Sequence, residues 1–304
     1  MRNFLFHRVC NEENVLWPPI PTALFEKIIR NIKKKFHVVL LEDYLSGKDQ
    51  MGEGENLATI SFDDGYIDNY QFAAPILLDN QCPASFYIVT DCIERNVPTW
   101  TFITDAVFLN NAKGALKLEY DFVPEKFRCI TWNTLNEGIS IGKEIKPWMK
   151  SLGNTKRISI MKELELLYAE SPSYVSMMTW KEVEKMKDAG FCIGSHSHTH
   201  PMLANLEEDE EIEVELSKSF DLIQNKLGMA PISISYPIGS WDQRVIKFAK
   251  KTGYQLGLAV EQRDFKVKSD SNMIIPRVEL YKEPYWKSSL RMNGLYQQVK
   301  RFFK

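Results

Sequence analysis

Short, mostly apolar runs alternate along the chain with longer segments whose apolar positions recur at helical spacing. The runs are 3–9 (NFLFHRV), 57–62 (LATISF), 84–89 (ASFYIV), 191–195 (FCIGS), 232–236 (ISISY), 256–260 (LGLAV) and 274–280 (IIPRVEL). Apolar stretches of this length, bounded by turn residues, read as strands. Between them, 25–36 (FEKIIRNIKKKF), 69–78, the acidic-headed stretch from Glu207 to near Gly228, and 242–251 read as helices. Thr179-Trp180-Lys181-Glu182 is a capping box that opens a further helix through Lys187, with Gly190 as its stop. About seven strands with helices after most of them predict an α/β fold, a closed or nearly closed β/α barrel of parallel strands. Residues from roughly 95 to 175 interrupt the alternation. They carry Trp100, Trp132, Trp148 and a helix over 155–169, and read as an insertion in one strand-to-helix loop of a single domain spanning 1–304.

Composition narrows the function classes. With 304 residues and 44% hydrophobic content there is ample chain for a core. A formal charge of −2 and a pI near 6.3 speak against a nucleic-acid binder. Five cysteines without a CxxC pair read as reduced thiols. The N-terminal stretch MRNFLFHRVCNEEN has no apolar run of signal-peptide length, and no segment approaches a membrane span. The expectation is a cytoplasmic protein.

The chemistry-bearing residues fall at predicted strand ends. His7, Asp63, Asp64, His196 and Tyr236-Pro237 all lie at or just beyond the C-terminal end of a strand, the face that carries the active site in β/α barrels. In GSHSHTHP, which holds three of the five histidines, an extended chain would put His196 and His200 roughly 13 Å apart at about 3.3 Å per residue. That is too far to share a metal. A curl through one turn brings residues i and i+4 together and leaves His198 facing away. In SFDDGYIDNY, Gly65 forces a turn after two adjacent carboxylates, and Asp68 is placed to cap the next helix. Asp64 with His196 and His200 would supply one oxygen and two nitrogens to a cation, with positions left for water and substrate. Asp63 would stay ionised beside it as a proton acceptor.

With these motifs the sequence resembles the polysaccharide deacetylases of carbohydrate esterase family 4. SFDDG looks like that family's first motif, HSHTH (196–200) like its second, and SYPIG (235–239) like a variant of the third, which lines the substrate groove. The resemblance covers most of the chain outside the insertion. It implies a distorted β/α barrel, a divalent metal (zinc first, then cobalt, nickel, iron or manganese), and hydrolysis of an N-acetyl or O-acetyl group on a sugar. Residue by residue, it implies Asp63 as general base and Asp64, His196 and His200 as metal ligands. Ser235 stands where the family's base-orienting arginine usually begins the third motif, and Arg277 in IIPRVEL is the candidate replacement. No histidine follows His200, so the acid is sought in His7, as in members whose acid lies on the first strand. His37, at a helix end, has no such case.

The implied reaction is metal-assisted hydrolysis, with Asp63 taking the proton from water and His7 protonating the departing amine. The resemblance also assigns the oxyanion to the metal and the Ile238 backbone N–H after Pro237. Tyr236, Trp241 and the insertion tryptophans are candidates to stack on sugar faces. Two other classes compete: a non-catalytic glycan-binding relative, favoured by the missing motif arginine, and a non-haem iron oxygenase with its two-histidine, one-carboxylate triad. The tail 290–304 (LRMNGLYQQVKRFFK) mixes apolar and basic residues, which suggests peripheral contact with the inner membrane face and a role in cell-envelope glycan assembly. The expected ligand is an acetylated sugar, a glycan or a lipid-linked glycan precursor.

Overall fold

The computed structural model describes residues 1–48, 56–170 and 175–296. Its strands are β1 (Arg2–Phe6), β2 (His37–Val38), β3 (Leu57–Phe62), β4 (Ser85–Ile88), β5 (Gly114–Lys117), β6 (Cys129–Trp132), β7 (Cys192–Ser195), β8 (Ser233–Ser235), β9 (Leu256–Leu258) and β10 (Val278–Glu279). Seven of them run in the order β10-β1-β3-β4-β7-β8-β9, and β2 pairs with the start of β3. Every pairing in this sheet is parallel. The sheet curls into a half-barrel, in keeping with the distorted β/α barrel the sequence predicts.

The expected strand over 274–280 is split, and the split curls the sheet. Leu258 bridges Ile275, and Ala259 N–H donates to the Ile275 carbonyl at 2.8 Å. Three residues later Val278 pairs with Phe4 of β1. The stretch therefore reaches from one outer strand to the other. Pro276 stands between the two pairings and has no N–H to continue a ladder. The sequence pattern did not reveal β2, a two-residue strand directly after the helix Thr22–Lys35.

Strand alternation sorts the side chains. Phe6, Phe62 and Phe86 sit in register on β1, β3 and β4 and stack at 5.3 and 4.7 Å between neighbours. They share a cluster with Phe25, Ile28, Ile29 and Ile32 of the helix Thr22–Lys35. The other face of the same strands is polar. Thr59 donates to Asn3, and Ser61 to the Phe4 carbonyl. Buried Glu42 accepts from Ser85, Tyr87 and Ser233 at 2.6, 2.8 and 2.6 Å. Asp63 continues this inward phase one step past β3, so a period of two already aims it into the barrel.

The helices follow with small differences. The capping box at Thr179 and Glu182 opens Trp180–Asp188. Asp209–Leu227 ends in Gly228 at φ 69. The segment 69–78 begins as a π-helical turn, Asn69–Ala73, before Ala74–Asp79, whose first turn holds a proline. Asp68 does not cap it. Its carboxylate accepts instead from Arg8 Nε at 2.8 Å and Val9 N–H at 3.2 Å, so it ties this helix to the chain after β1.

The segment expected to be an insertion follows β4 and precedes the helix Trp180–Asp188. It contains more structure than a helix over 155–169. Helices Trp100–Asn110, Leu135–Lys150 and Asn154–Ala169 and an antiparallel β5–β6 hairpin pack around Phe108, Trp132, Ile145 and Leu164. The last helix, Tyr285–Met292, covers the start of the tail, and residues 297–304 lie outside the described residues. Among the described residues no helix is long and apolar enough to cross a membrane, and none of the five cysteines is in a disulfide.

Candidate active site

Three strand ends bring the motif residues together. After β7 the chain makes the tight turn that the histidine spacing calls for, without helical backbone angles. Ser197 and His200 take left-handed φ values of 64° and 61°, which curl the loop back within four residues. The rings of His196 and His200 end 4.9 Å apart, while His198 turns away to share a hydrogen bond with Thr90 Oγ1. Local bonds hold this shape. Ser195 Oγ accepts from Ser197 N–H, Ser197 Oγ accepts from His200 N–H, and Trp100 Nε1 donates to the His200 carbonyl at 2.9 Å. Glu215, from the helix Asp209–Leu227, accepts from the N–H groups of His198 and Thr199 and from the Thr199 hydroxyl.

Asp64, at φ 79, begins the turn that Gly65 completes at φ 86, where a Cβ would crowd Ile88 and Ile93. Of the six non-glycine residues with left-handed φ among those described, Asp64, Ser197, His200 and Ile238 all belong to this region. Such positions cost about 1–3 kcal/mol each and persist only where the surroundings impose them. Backbone strain is thus concentrated at the site.

The donor set suits a cation. Ligand atoms of Asp64, His196 and His200 lie within 4.8 Å of one another, and all three residues are buried. Asp64 Oδ1 stands 3.4 Å from Nε2 of each histidine, yet it has no hydrogen-bond partner. His196 Nδ1 lies 2.8 Å from the Ser235 carbonyl, which can only accept, so Nδ1 carries a proton and Nε2 is the ring atom turned toward Asp64. Burial, reinforced by repulsion from His196, outweighs nearby Asp64 and pushes His200 down to about 3, which keeps that ring neutral. A buried, unsatisfied carboxylate oxygen between imidazole nitrogens fits a divalent metal.

Asp63 is held differently. Arg277 donates from Nη1 to Oδ1 and from Nη2 to Oδ2, each at 2.8 Å, and Ser235 Oγ donates to Oδ2 at 2.9 Å. Burial would raise the Asp63 pKa, but the Arg277 guanidinium, followed by His196, holds it below the usual carboxylate range. Arg277 is itself wholly buried, its Nε donates to the Ala259 carbonyl, and it accounts for the short side chain at 235. A serine there leaves room for a guanidinium arriving from the chain just before β10.

His7 lies at the end of β1 with Nδ1 3.5 Å from Glu279 Oε1 and its ring edge-on to Trp17 at 5.3 Å. It opens, with Asp63, Asp64, His196, His200 and Ile238, onto one cleft of about 200 Å³. Ile238 sits there at φ 58.

Other expected contacts fall elsewhere. Tyr236 is fully buried with its hydroxyl on the Met273 carbonyl, Pro237 is buried beside it, and Trp241 packs against that same core cluster. None of the three lines the cleft, because the strand-end residue Tyr236 points into the core. Trp132 is locked in the insertion core, Trp148 packs on Phe127, and Trp100 buries its indole beneath His200. The cleft takes its aromatic from Trp17 instead. Besides Val260, sequence reasoning also missed Glu279, Thr101, Asp105, Lys146 and Lys150, which line the cleft as well. Glu279 lies two residues after Arg277 in the expected strand 274–280, which was a readable cue; the other four depend on how the 95–175 segment docks.

A family model described as polysaccharide deacetylase matches residues 51–257. The chain is 30% identical over 154 residues to a protein described as a candidate polysaccharide deacetylase, YxkH of Bacillus subtilis (strain 168). That match covers 50% of this chain and 52% of the other, so the chain spans about half the length of the curated relative it matches. Among solved structures, the Streptococcus pyogenes deacetylase PplD in complex with acetate has a TM-score of 0.61 at 15% identity, covering 98% of this chain and 96% of that one. IcaB from Ammonifex degensii gives the same TM-score, identity and coverage. At this identity the structural likeness speaks for the fold alone.

Proposed function

The chain belongs to the polysaccharide deacetylase family, and from that premise we propose that it hydrolyses an acetyl group, in the first place an N-acetyl group, from a sugar of a glycan. The observation that carries this reading is the juxtaposition of two differently held carboxylates in one cleft. Asp64 faces Nε2 of both histidines, and Asp63 is clamped by Arg277.

Asp64, His196 and His200 would hold a divalent metal, with zinc the first candidate for one carboxylate and two histidines. Bound there, the cation supplies Lewis-acid activation of water and of the acetyl carbonyl. Asp63, kept ionised and fixed in orientation by Arg277 and Ser235, takes the proton from the attacking water. His7, oriented by Glu279 and Trp17 at the cleft wall, gives a proton to the departing amine, which is a poor leaving group without it. Ile238 lines the cleft in a left-handed conformation, and its backbone N–H is the candidate donor to the developing oxyanion.

A non-catalytic glycan-binding relative is the second reading. It was favoured by the missing motif arginine, and Arg277 speaks against that ground by holding Asp63 from just before β10. The test is acetate release from N-acetylated and O-acetylated oligosaccharides by metal-loaded and chelator-treated protein. Release that depends on metal supports the enzyme. Binding without release under every metal supports the alternative.

A further inference from the structure

The wall of the cleft facing the strand ends comes from the insertion. Lys146 and Lys150 lie four residues apart on the helix Leu135–Lys150, hence on one face, and both line the cleft that holds Asp63, Asp64, His196 and His200. Their situations differ. Lys146 is paired with Asp105, whose carboxylate is buried beneath it. Lys150 is half-buried, and its ammonium has neither a hydrogen bond nor an ion pair among the described residues. The two carboxylates whose charge reaches it are Asp105 and Glu279, and both are engaged: Asp105 by Lys146 and Glu279 by His7 at 3.5 Å.

A half-buried ammonium without a partner is an uncompensated charge. Burial, joined by repulsion from Lys146, lowers the Lys150 pKa, which is the direction expected of a cation short of an anion. Its place in the last turn of a helix suits the helix dipole, but that explains a lysine at the helix end, not one turned over the cleft. The rest of the cleft is rich in acid: Asp63, Asp64, Asp105 and Glu279 all line it. An anionic ligand entering there meets carboxylates on most sides, and Lys150 marks the side on which a negative group is accepted.

We propose that Lys150 receives a carboxylate borne by the substrate next to its acetylated sugar, so that the glycan acted on is an acidic one. This rests on the deacetylase reading and narrows its substrate class. A charge-assisted contact of this kind contributes enough for a preference of roughly tenfold to a hundredfold, and the preference shrinks as salt is raised.

The test is calorimetric binding of two tetrasaccharides to the intact protein at low salt. One contains N-acetylglucosamine alone, and the other alternates it with glucuronate. The wild type binds the uronate-bearing ligand at least tenfold more tightly. Lys150→Gln abolishes the difference, and Lys150→Arg, which keeps the charge, retains it. Equal affinities in the wild type, or a preference that survives in Lys150→Gln, overturns the proposal. Acetate release is followed separately, so a protein that binds with this preference and releases nothing contradicts the deacetylase reading while leaving Lys150 its role.

Discussion

Arg277 grips both carboxylate oxygens of Asp63 across the barrel, 214 positions apart in sequence, through two parallel bonds of 2.8 Å. A fork of this kind fixes the carboxylate's plane as well as its charge, which a lysine does not do. Arg277→Lys is therefore expected to lower turnover about 10- to 100-fold with metal content unchanged. Steady-state acetate release beside elemental analysis checks this, and near-normal turnover would mean that orientation of Asp63 is unimportant.

Arg277→Met should cost about 3–5 kcal/mol of stability, because it leaves a buried carboxylate without its partner. The cost depends on pH. Folding holds the Asp63 pKa below its unfolded value of about 4, so the ionised pair stabilises the fold above that pH. The contribution fades as the pH falls through the folded value. Melting temperatures of wild type and variant should thus differ most near neutrality and converge below about pH 4. A gap that stays constant across the acid range would contradict the pairing.

Glu215 is expected to set the shape of the histidine loop, since it accepts from two backbone N–H groups and one hydroxyl of residues 198–199. Glu215→Ala should weaken metal binding by about 10- to 100-fold although Glu215 is not a ligand. Competition with a chromophoric chelator measures this directly. An unchanged affinity would make the loop self-sufficient.

Much of the barrel and of the site was legible because short motifs fall on strand ends. A period of two carries LATISF outward-inward into Asp63, and one loop of five residues holds two of the three cleft-lining histidines. What stayed hidden depends on contacts between distant elements. Glu215 and Lys150 look like ordinary helix-surface residues until their helices are docked. Tyr236 shows the reverse error: a strand-end position suggested the cleft, whereas its side chain turned into the core. The β5–β6 hairpin was lost among the tryptophans of the 95–175 segment because its strands are half-exposed, unlike the buried runs of the parallel sheet.

Glu42 should matter for stability alone. It is the common acceptor for Ser85, Tyr87 and Ser233 inside the barrel, away from the cleft-lining residues. Glu42→Leu leaves three buried hydroxyls without that acceptor and is expected to cost about 2–4 kcal/mol. Denaturant unfolding tests it; a loss under about 0.5 kcal/mol, the level of an ordinary surface change, would show that the interior repacks freely.

His7→Ala separates a proton donor from a packed strand residue. Loss of the donor should slow release from an amide about 10²- to 10⁴-fold and much less from an ester, whose leaving group departs more readily. Parallel assays on N-acetyl and O-acetyl substrates decide it. Equal losses on both would assign His7 a structural part beside Glu279.

The central claim is that neighbouring aspartates divide the work, Asp64 holding the metal and Asp63 accepting the proton. Its most direct test is acetate release per bound metal ion in Asp63→Asn, with Asp64→Asn measured alongside. Asp63→Asn should keep its metal and lose about 10²- to 10⁴-fold in release, while Asp64→Asn should lose the metal itself. Wild-type release from Asp63→Asn, or a full complement of metal in Asp64→Asn, would contradict the account.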